Sequence, residues 1–421
     1  MFILLVNRLK SMARFGLFTG ISLLVQVLGM LTNIVIAGKV SVSAFGTYTL
    51  ILTVVGLIST FAFSWSSSTI SFYGSKDIIR NGNMRSTIKV RNIILLISFT
   101  ITGIVFFLLS SQVDKYIGYE CSILIFIWVF VKAINEYITY YFIAREKKII
   151  SSTVSLIGRA ANIILLITLD YNLLQLIWIS IACELLTLIT IRFVDKEDIG
   201  NTPFDYNYFK ELLNFSAWQF SGTLSIYIVN SAAILIINHY LGEKDVGIFN
   251  AAFKLFSGIF ILANIITSYY VATISRHFHN ENRTAIKKFY YNIRTSLFAA
   301  VLIGHVMLFL LSNYIFDILY NNQYHMSVTI FNILLLASLC RYWTVFQMIY
   351  FNINKMYKFQ QLLNMSNAIL IVSLCIILIP RIGIVGGALA TTISSLIIAI
   401  ISSIVCEPKI YTYVKSNFGG K

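Results

Sequence analysis

The feature that most restricts this chain is a recurrence. Runs of about twenty apolar residues, long enough as helix to cross a bilayer, return twelve times. They lie near 12–37, 44–68, 92–111, 117–143, 151–169, 173–191, 214–237, 247–272, 295–315, 328–351, 362–379 and 385–405. A segment that spans lipid must satisfy its own backbone hydrogen bonds, which leaves helices and closed barrels. A barrel would show short alternating segments of about ten residues, and these runs are continuous. Composition agrees: 12% of the residues are charged and 58% hydrophobic, where a soluble domain carries about 25% charged residues. The expected fold is all-α and polytopic, with about 12 transmembrane helices.

The net charge of +15 raises nucleic acid as a partner, and its placement argues against it. With the N-terminus set in the cytoplasm, 24 of the 32 Lys and Arg fall on the cytoplasmic side, among them Lys76, Arg80, Arg85, Lys89 and Arg91 in one basic loop. Only Lys39, Lys115, Lys244 and Arg381 fall outside, and Lys132, Arg159, Lys254 and Arg341 lie within apolar runs. This is a positive-inside pattern with both termini cytoplasmic, and anionic membrane lipids are the partner it implies. The apolar piece Phe2–Val6 is too short for the core of a signal peptide, so no cleavable leader is expected. Cys121, Cys183, Cys340, Cys375 and Cys406 share no disulfide or metal-ligand spacing and read as packing residues, so no metal and no cofactor is expected.

Polar residues inside the runs form stripes, and in lipid a stripe must face protein or a wet cavity. The first run carries Thr19, Ser22, Gln26, Gly29 and Asn33 at steps of three and four. The fourth carries Trp128, Lys132, Asn135, Glu136, Thr139 and Tyr140 on one face, with Lys132 and Glu136 spaced to satisfy each other. Arg159 and Glu184 are equidistant from the turn at Asp170–Asn172, which predicts a structural ion pair between antiparallel neighbours. His305 sits mid-span; it is a candidate proton relay, although a neutral, hydrogen-bonded core histidine is the more ordinary outcome. Residues 195–213 read as a cytoplasmic linker between a bundle at 1–194 and a second at 214–421, with Phe204–Leu213 as an interfacial amphipathic helix.

Displacing the second half by 201 residues lays Phe45-Gly46-Thr47-Tyr48 on Val246-Gly247-Ile248-Phe249, and Thr49, Thr53 and Gly56 on Asn250, Lys254 and Ser257. Each half then has six spans and starts on the same side. That makes a parallel internal repeat, the symmetry of a two-bundle transporter.

No nucleotide-binding loop, nucleophile elbow or metalloprotease motif is present, and the outer loops are short, so the expectation is a transporter and not an enzyme. Four intramembrane cations face two acids. With Glu136 and Glu184 assigned to Lys132 and Arg159, Lys254 and Arg341 are left over. Each would cost several kcal/mol in lipid without water or a counter-ion, which predicts an anionic substrate such as a phosphate or pyrophosphate. The candidate substrate-binding set is Lys254, Arg341, Lys132, Asn250 and Gln26, with Trp128, Tyr137, Tyr140, Tyr227 and Tyr269 able to stack on sugars.

The segments Phe15-Gly16, Asn33–Gly38 and Phe45–Tyr48, the echo at Gly247-Ile248-Phe249, and Ile379–Ala388 resemble polysaccharide transporters of the Wzx type. These are the O-antigen flippases of the multidrug/oligosaccharidyl-lipid/polysaccharide exporter superfamily. The resemblance implies two six-helix bundles in a V around a cation-rich lumen. It also implies translocation of an undecaprenyl-pyrophosphate-linked oligosaccharide across a bacterial inner membrane by alternating access, alongside other surface polysaccharide assembly proteins. Two alternatives remain. An O-antigen polymerase would carry a long outer loop. A cation-coupled multidrug exporter would carry an acid in the first bundle's lumen, and residues 12–37 hold none.

Overall fold

The computed structural model describes residues 2–194 and 202–415, which are helical almost throughout, with no strand among them. The first seven helices are α1 (Phe2–Lys39), α2 (Val42–Ser59), α3 (Trp65–Asn81), α4 (Arg85–Ile117), α5 (Ser122–Ala144), α6 (Lys148–Thr168) and α7 (Leu173–Leu185). A π-helical turn, Thr60–Ser64, joins α2 to α3, and a 3₁₀ stretch, Leu186–Phe193, extends α7. The rest are α8 (Tyr206–Leu241), α9 (Glu243–His279), α10 (Arg283–Lys287), α11 (Arg294–Tyr320), α12 (His325–Ile353), α13 (Tyr357–Ile382) and α14 (Ile384–Lys415), with a second π-helical segment at Lys288–Ile293. Among the described residues, eleven spans are long and apolar enough to cross a membrane, and α9, at 37 residues, is a further long helical rod. The chain is a multi-pass membrane protein.

Helix ends are finished by side chains, from neighbouring helices or from the helix's own first turn, as backbone groups near an apolar layer require. Asp114, near the end of α4, accepts from Cys121 N and Ser122 N at 2.9 Å each and from Ser122 Oγ at 2.7 Å, which caps α5. Lys39 closes the other end of a helix: its Nζ donates to Ile167 O at 2.6 Å and Leu169 O at 3.0 Å, the exposed carbonyls of α6. Asn172 and Gln175 form a reciprocal capping box on α7.

Two boundaries differ from the sequence reading. The second apolar run continues as helix to Asn81, so the basic loop between spans shrinks to a turn at Gly82, which takes φ +71. Phe204–Leu213 is no separate interfacial helix: from Tyr206 it forms the opening turns of α8. Hydropathy marks where the apolar layer begins and does not mark where a helix begins. Residues 195–201 of the expected linker lie outside the described residues, as does the Tyr269 side chain.

The chain divides into two compact units, Met1–Tyr227 and Ile228–Lys421, and the division falls inside α8. In the first unit, Ser216 on α8 shares a 2.8 Å hydroxyl–hydroxyl bond with Thr69, and Phe215 stacks on Phe72 at 5.2 Å. Tyr208 donates to Asp77 at 3.1 Å and meets Thr87 at 2.8 Å. In the second unit, the core gathers Ile274, Phe289, Phe346, Ile349 and Ile410, and α12 lies against α9, α11 and α14.

The tightest approach is between α13 and α14. A Cβ on Gly386 would come within 2.6 Å of the Leu378 backbone, too close for any side chain. Gly386→Ala therefore forces two packed helices apart and should lower the melting temperature, at a cost of roughly 1–3 kcal/mol for an overpacked core. Gly29→Ala meets nothing within 4 Å and should hold or raise it, since Ala is the better helix former. Equal melting of the two variants in detergent would count against this packing.

Candidate functional site

In the second unit, α12 carries Arg341 toward α9. Its guanidinium lies 5.3 Å from the Phe256 ring centre and 5.2 Å from that of Phe260. Its Nε reaches Ser395 Oγ on α14 at a long 3.4 Å, and its Nη2 is buried with no hydrogen-bond partner. No acid forms an ion pair with it among the described residues. Two aromatic faces lower the cost of this cation without neutralising it.

Lys254 is half-buried and is not left without a partner. It stands two residues before Phe256, and at about 100° per residue that step turns it some 200° around α9. It therefore points away from the face that meets Arg341. The structure does not bring the two cations onto one side of α9. Asn250, one turn before Lys254 and on its side, is fully buried and also has a partner. Gln26 is exposed on α1 with no hydrogen bond among the described residues.

His305 is a satisfied core residue. Its Nδ1 lies 2.7 Å from Val301 O and must donate, because a carbonyl only accepts. Its Nε2 then accepts from Ser338 Oγ at 3.0 Å, and the ring meets Tyr342 edge-on at 5.8 Å. Neutral imidazole fills both positions, and a second proton on Nε2 would only reverse the Ser338 bond, with Ser338 Oγ then accepting.

The first unit corrects two expected pairs. Glu136 Oε2 accepts from Ser64 Oγ at 2.9 Å, and Lys132, half-buried one turn away, forms no ion pair among the described residues. A hydroxyl from the adjacent π-helical turn takes the place assigned to the lysine. Arg159 is exposed, while Glu184 Oε2 is buried without a partner, so the Arg159–Glu184 pair is not made within 4 Å. Equal spacing about a turn brings two residues to similar depth and leaves their rotation about each helix open.

Sequence reasoning missed two buried arginines by assigning them to cytoplasmic loops. Arg91 is fully buried in the first unit, with one 3.3 Å bond to Ser67 Oγ and the Tyr137 ring 5.6 Å away. Arg294 forms a forked pair with Glu407, at 2.5 Å (Nη1–Oε1) and 3.1 Å (Nη2–Oε2), beneath the Trp343 ring at 4.5 Å. The available signal was Glu407 itself, an acid directly after an apolar run. Of the aromatic candidates, Trp128 is core against Tyr48, and Tyr227 donates its hydroxyl to Thr53 O. Tyr137 stacks near Tyr141 at 6.5 Å, and Tyr140 is half-buried. An apolar groove of about 450 Å³ in the first unit, with Phe61, Trp65 and Phe220 in its wall, holds none of the candidate cations.

Arg294 and Glu407 belong to the scaffold. Glu407→Ala leaves a buried guanidinium unmatched, a loss of roughly 3–5 kcal/mol, whereas matched apolar replacement of both partners is often neutral. Thermal unfolding of Glu407→Ala should fall well below that of the Arg294→Met/Glu407→Leu double variant. The reverse order would refute a paired scaffold role.

Residues 35–329 match the model of the family described as polysaccharide biosynthesis protein. No curated protein matches the chain. Among solved structures, it is similar to an inward-facing multidrug resistance MATE family transporter of the MOP superfamily, at TM-score 0.72 and 14% identity over 93% of this chain and 96% of that one. The lipid II flippase MurJ, in an inward closed conformation, matches at TM-score 0.72 and 17% identity over 95% and 90%. A MOP superfamily transporter from Pyrococcus furiosus, described by a reversed polarity of its binding pocket, matches at 0.63 and 15% over 96% of each chain. Identities this low establish the fold, and the family model covers most of the chain: it belongs to the polysaccharide biosynthesis protein family and is built on the two-bundle fold of the MOP superfamily.

Proposed function

We propose that this protein is a flippase that moves an undecaprenyl-pyrophosphate-linked oligosaccharide, an O-antigen or related repeat unit, from the cytoplasmic to the outer leaflet of a bacterial inner membrane. The observation that carries the reading is Arg341, a guanidinium set among membrane-spanning helices with one buried N–H group unpartnered and no acid in contact. A diphosphate headgroup supplies the missing charge and accepts from a guanidinium in a two-pronged geometry. Lys254 adds positive charge on another face of α9, so in the second unit we assign the headgroup to Arg341; in the first unit, taken by itself, Lys132 and Gln26 are the candidate glycan contacts. The lipid chain stays in the bilayer, and no hydrolysis is required. Both termini are cytoplasmic on the positive-inside pattern of the basic residues.

The same fold serves a multidrug transporter with equal similarity, so fold does not choose between the two. Charge does. A cationic drug would be repelled by Arg341, whereas an anionic lipid headgroup is drawn to it.

Loss of the protein should leave polyprenyl-linked repeat units accumulating on the cytoplasmic leaflet. Arg341→Ala should lower surface polysaccharide roughly tenfold or more, the effect of losing a charge-assisted hydrogen bond, with protein level unchanged. Arg341→Lys should be milder and His305→Asn near wild type. Full polysaccharide with Arg341→Ala would remove the electrostatic basis of the reading, and a His305 variant as damaged as Arg341→Ala would restore a proton relay.

A further inference from the structure

Arg91 is the least comfortable side chain in the first unit. It is fully buried, its Nε and Nη1 have no hydrogen-bond partner, and its one bond, to Ser67, is 3.3 Å long. A buried guanidinium left in this condition costs several kcal/mol. An acid lies in the same cluster: Ser64, three residues before Ser67, donates to Glu136 Oε2 at 2.9 Å. Yet no ion pair joins Arg91 to Glu136. Ser64 holds Glu136, and Ser67 holds Arg91 while also lying within hydrogen-bonding reach of Glu136.

The two serines are three residues apart at the junction where the π-helical turn Thr60–Ser64 runs into α3. A π turn holds one residue more than an α turn. Annealing it to α-helix, or passing it along the rod, rotates α3 against α2 by up to about 100° and shifts it by about 1.5 Å. Ser64 and Ser67 ride on the same segment, so both leave together. Glu136 on α5 and Arg91 on α4 would then be uncovered toward each other. In the present state the unmatched guanidinium is stored strain, of the kind that persists where a second arrangement relieves it.

We infer that Ser64 and Ser67 form a removable insulator between Arg91 and Glu136, and that loss of the π turn closes an Arg91–Glu136 ion pair in a second conformation of the first unit. The pair is the latch of the alternate state and the π turn is its release. This rests on the flippase reading only in assigning the two states to a transport cycle; the switch itself needs no substrate.

Hydrogen–deuterium exchange of the full-length protein in nanodiscs, read on peptides covering 60–68, tests the switch without any lipid-linked sugar. Ser64→Ala/Ser67→Ala removes the insulator and keeps both charges, so exchange across the former π turn should slow by about tenfold as the regular, latched helix gains population. Adding Glu136→Gln, which cannot form the pair, should return exchange to the wild-type rate. Glu136→Gln alone covers the case in which the double variant fails to fold: it should keep the wild-type melting temperature and exchange while slowing lipid translocation about tenfold. Unchanged exchange in the serine variant, or wild-type translocation with Glu136→Gln, would overturn the latch. Unchanged exchange with translocation intact removes only the latch, while a confirmed latch in a protein that moves no polyprenyl-linked sugar removes only the substrate reading.

Discussion

A charge inside an apolar layer has to be matched by something, and most of what is distinctive here follows from how each charge is matched. The interior of a bilayer offers no water to share the burden, so partners must come from another helix, an aromatic face or a ligand. Arg294 takes the first course, with Glu407 in a forked pair under Trp343. Arg341 takes the second and stops short, resting between Phe256 and Phe260 with no acid at hand. Arg91 is barely matched at all, with one long bond to Ser67, while Ser64 bonds Glu136. The first is finished and belongs to the scaffold. The other two are unfinished, and it is on unfinished sites that binding and motion act.

Hydroxyl groups shape the rest of the interior. Thr32, Thr49, Thr53 and Thr60 each donate to the carbonyl four residues back, so they close on their own helices. Such a residue reads as a polar stripe in sequence and behaves as an apolar one in the fold. Hydroxyls that reach across helices are different. Ser338 holds His305, Ser395 meets Arg341, and Ser64 holds Glu136. These decide which charges are available.

The architecture was legible in the sequence because bilayer thickness imposes a length on every span, and length survives without any knowledge of packing. Arg341 was legible for a related reason, since a cation within an apolar run stands out wherever its helix turns. What could not be read was rotation and extent. Lys254 and Arg341 were assigned to one anion, but two residues of helix separate Lys254 from Phe256 and send it to the far side of α9. Lys132 and Glu136 had suitable spacing, and a serine on another helix won. Arg91 and Arg294 were placed in loops because helices here run well past their apolar runs, and hydropathy has no term for that. The π turn at Thr60–Ser64 left no trace in composition, although it sets the partner of Glu136.

Likeness to a multidrug transporter and to a lipid II flippase is equal in extent, so the scaffold alone is neutral on cargo. The central claim is that an unmatched arginine selects an anionic lipid headgroup. The most direct measurement reconstitutes the protein in liposomes carrying a fluorescent polyprenyl-diphosphate oligosaccharide and follows its exposure to a membrane-impermeant quencher. Exposure should depend on the protein, fall by about tenfold with Arg341→Ala, and be competed by polyprenyl diphosphate but not by a cationic amphiphile. Equal rates in the two proteins, or competition by the cation alone, would contradict that claim.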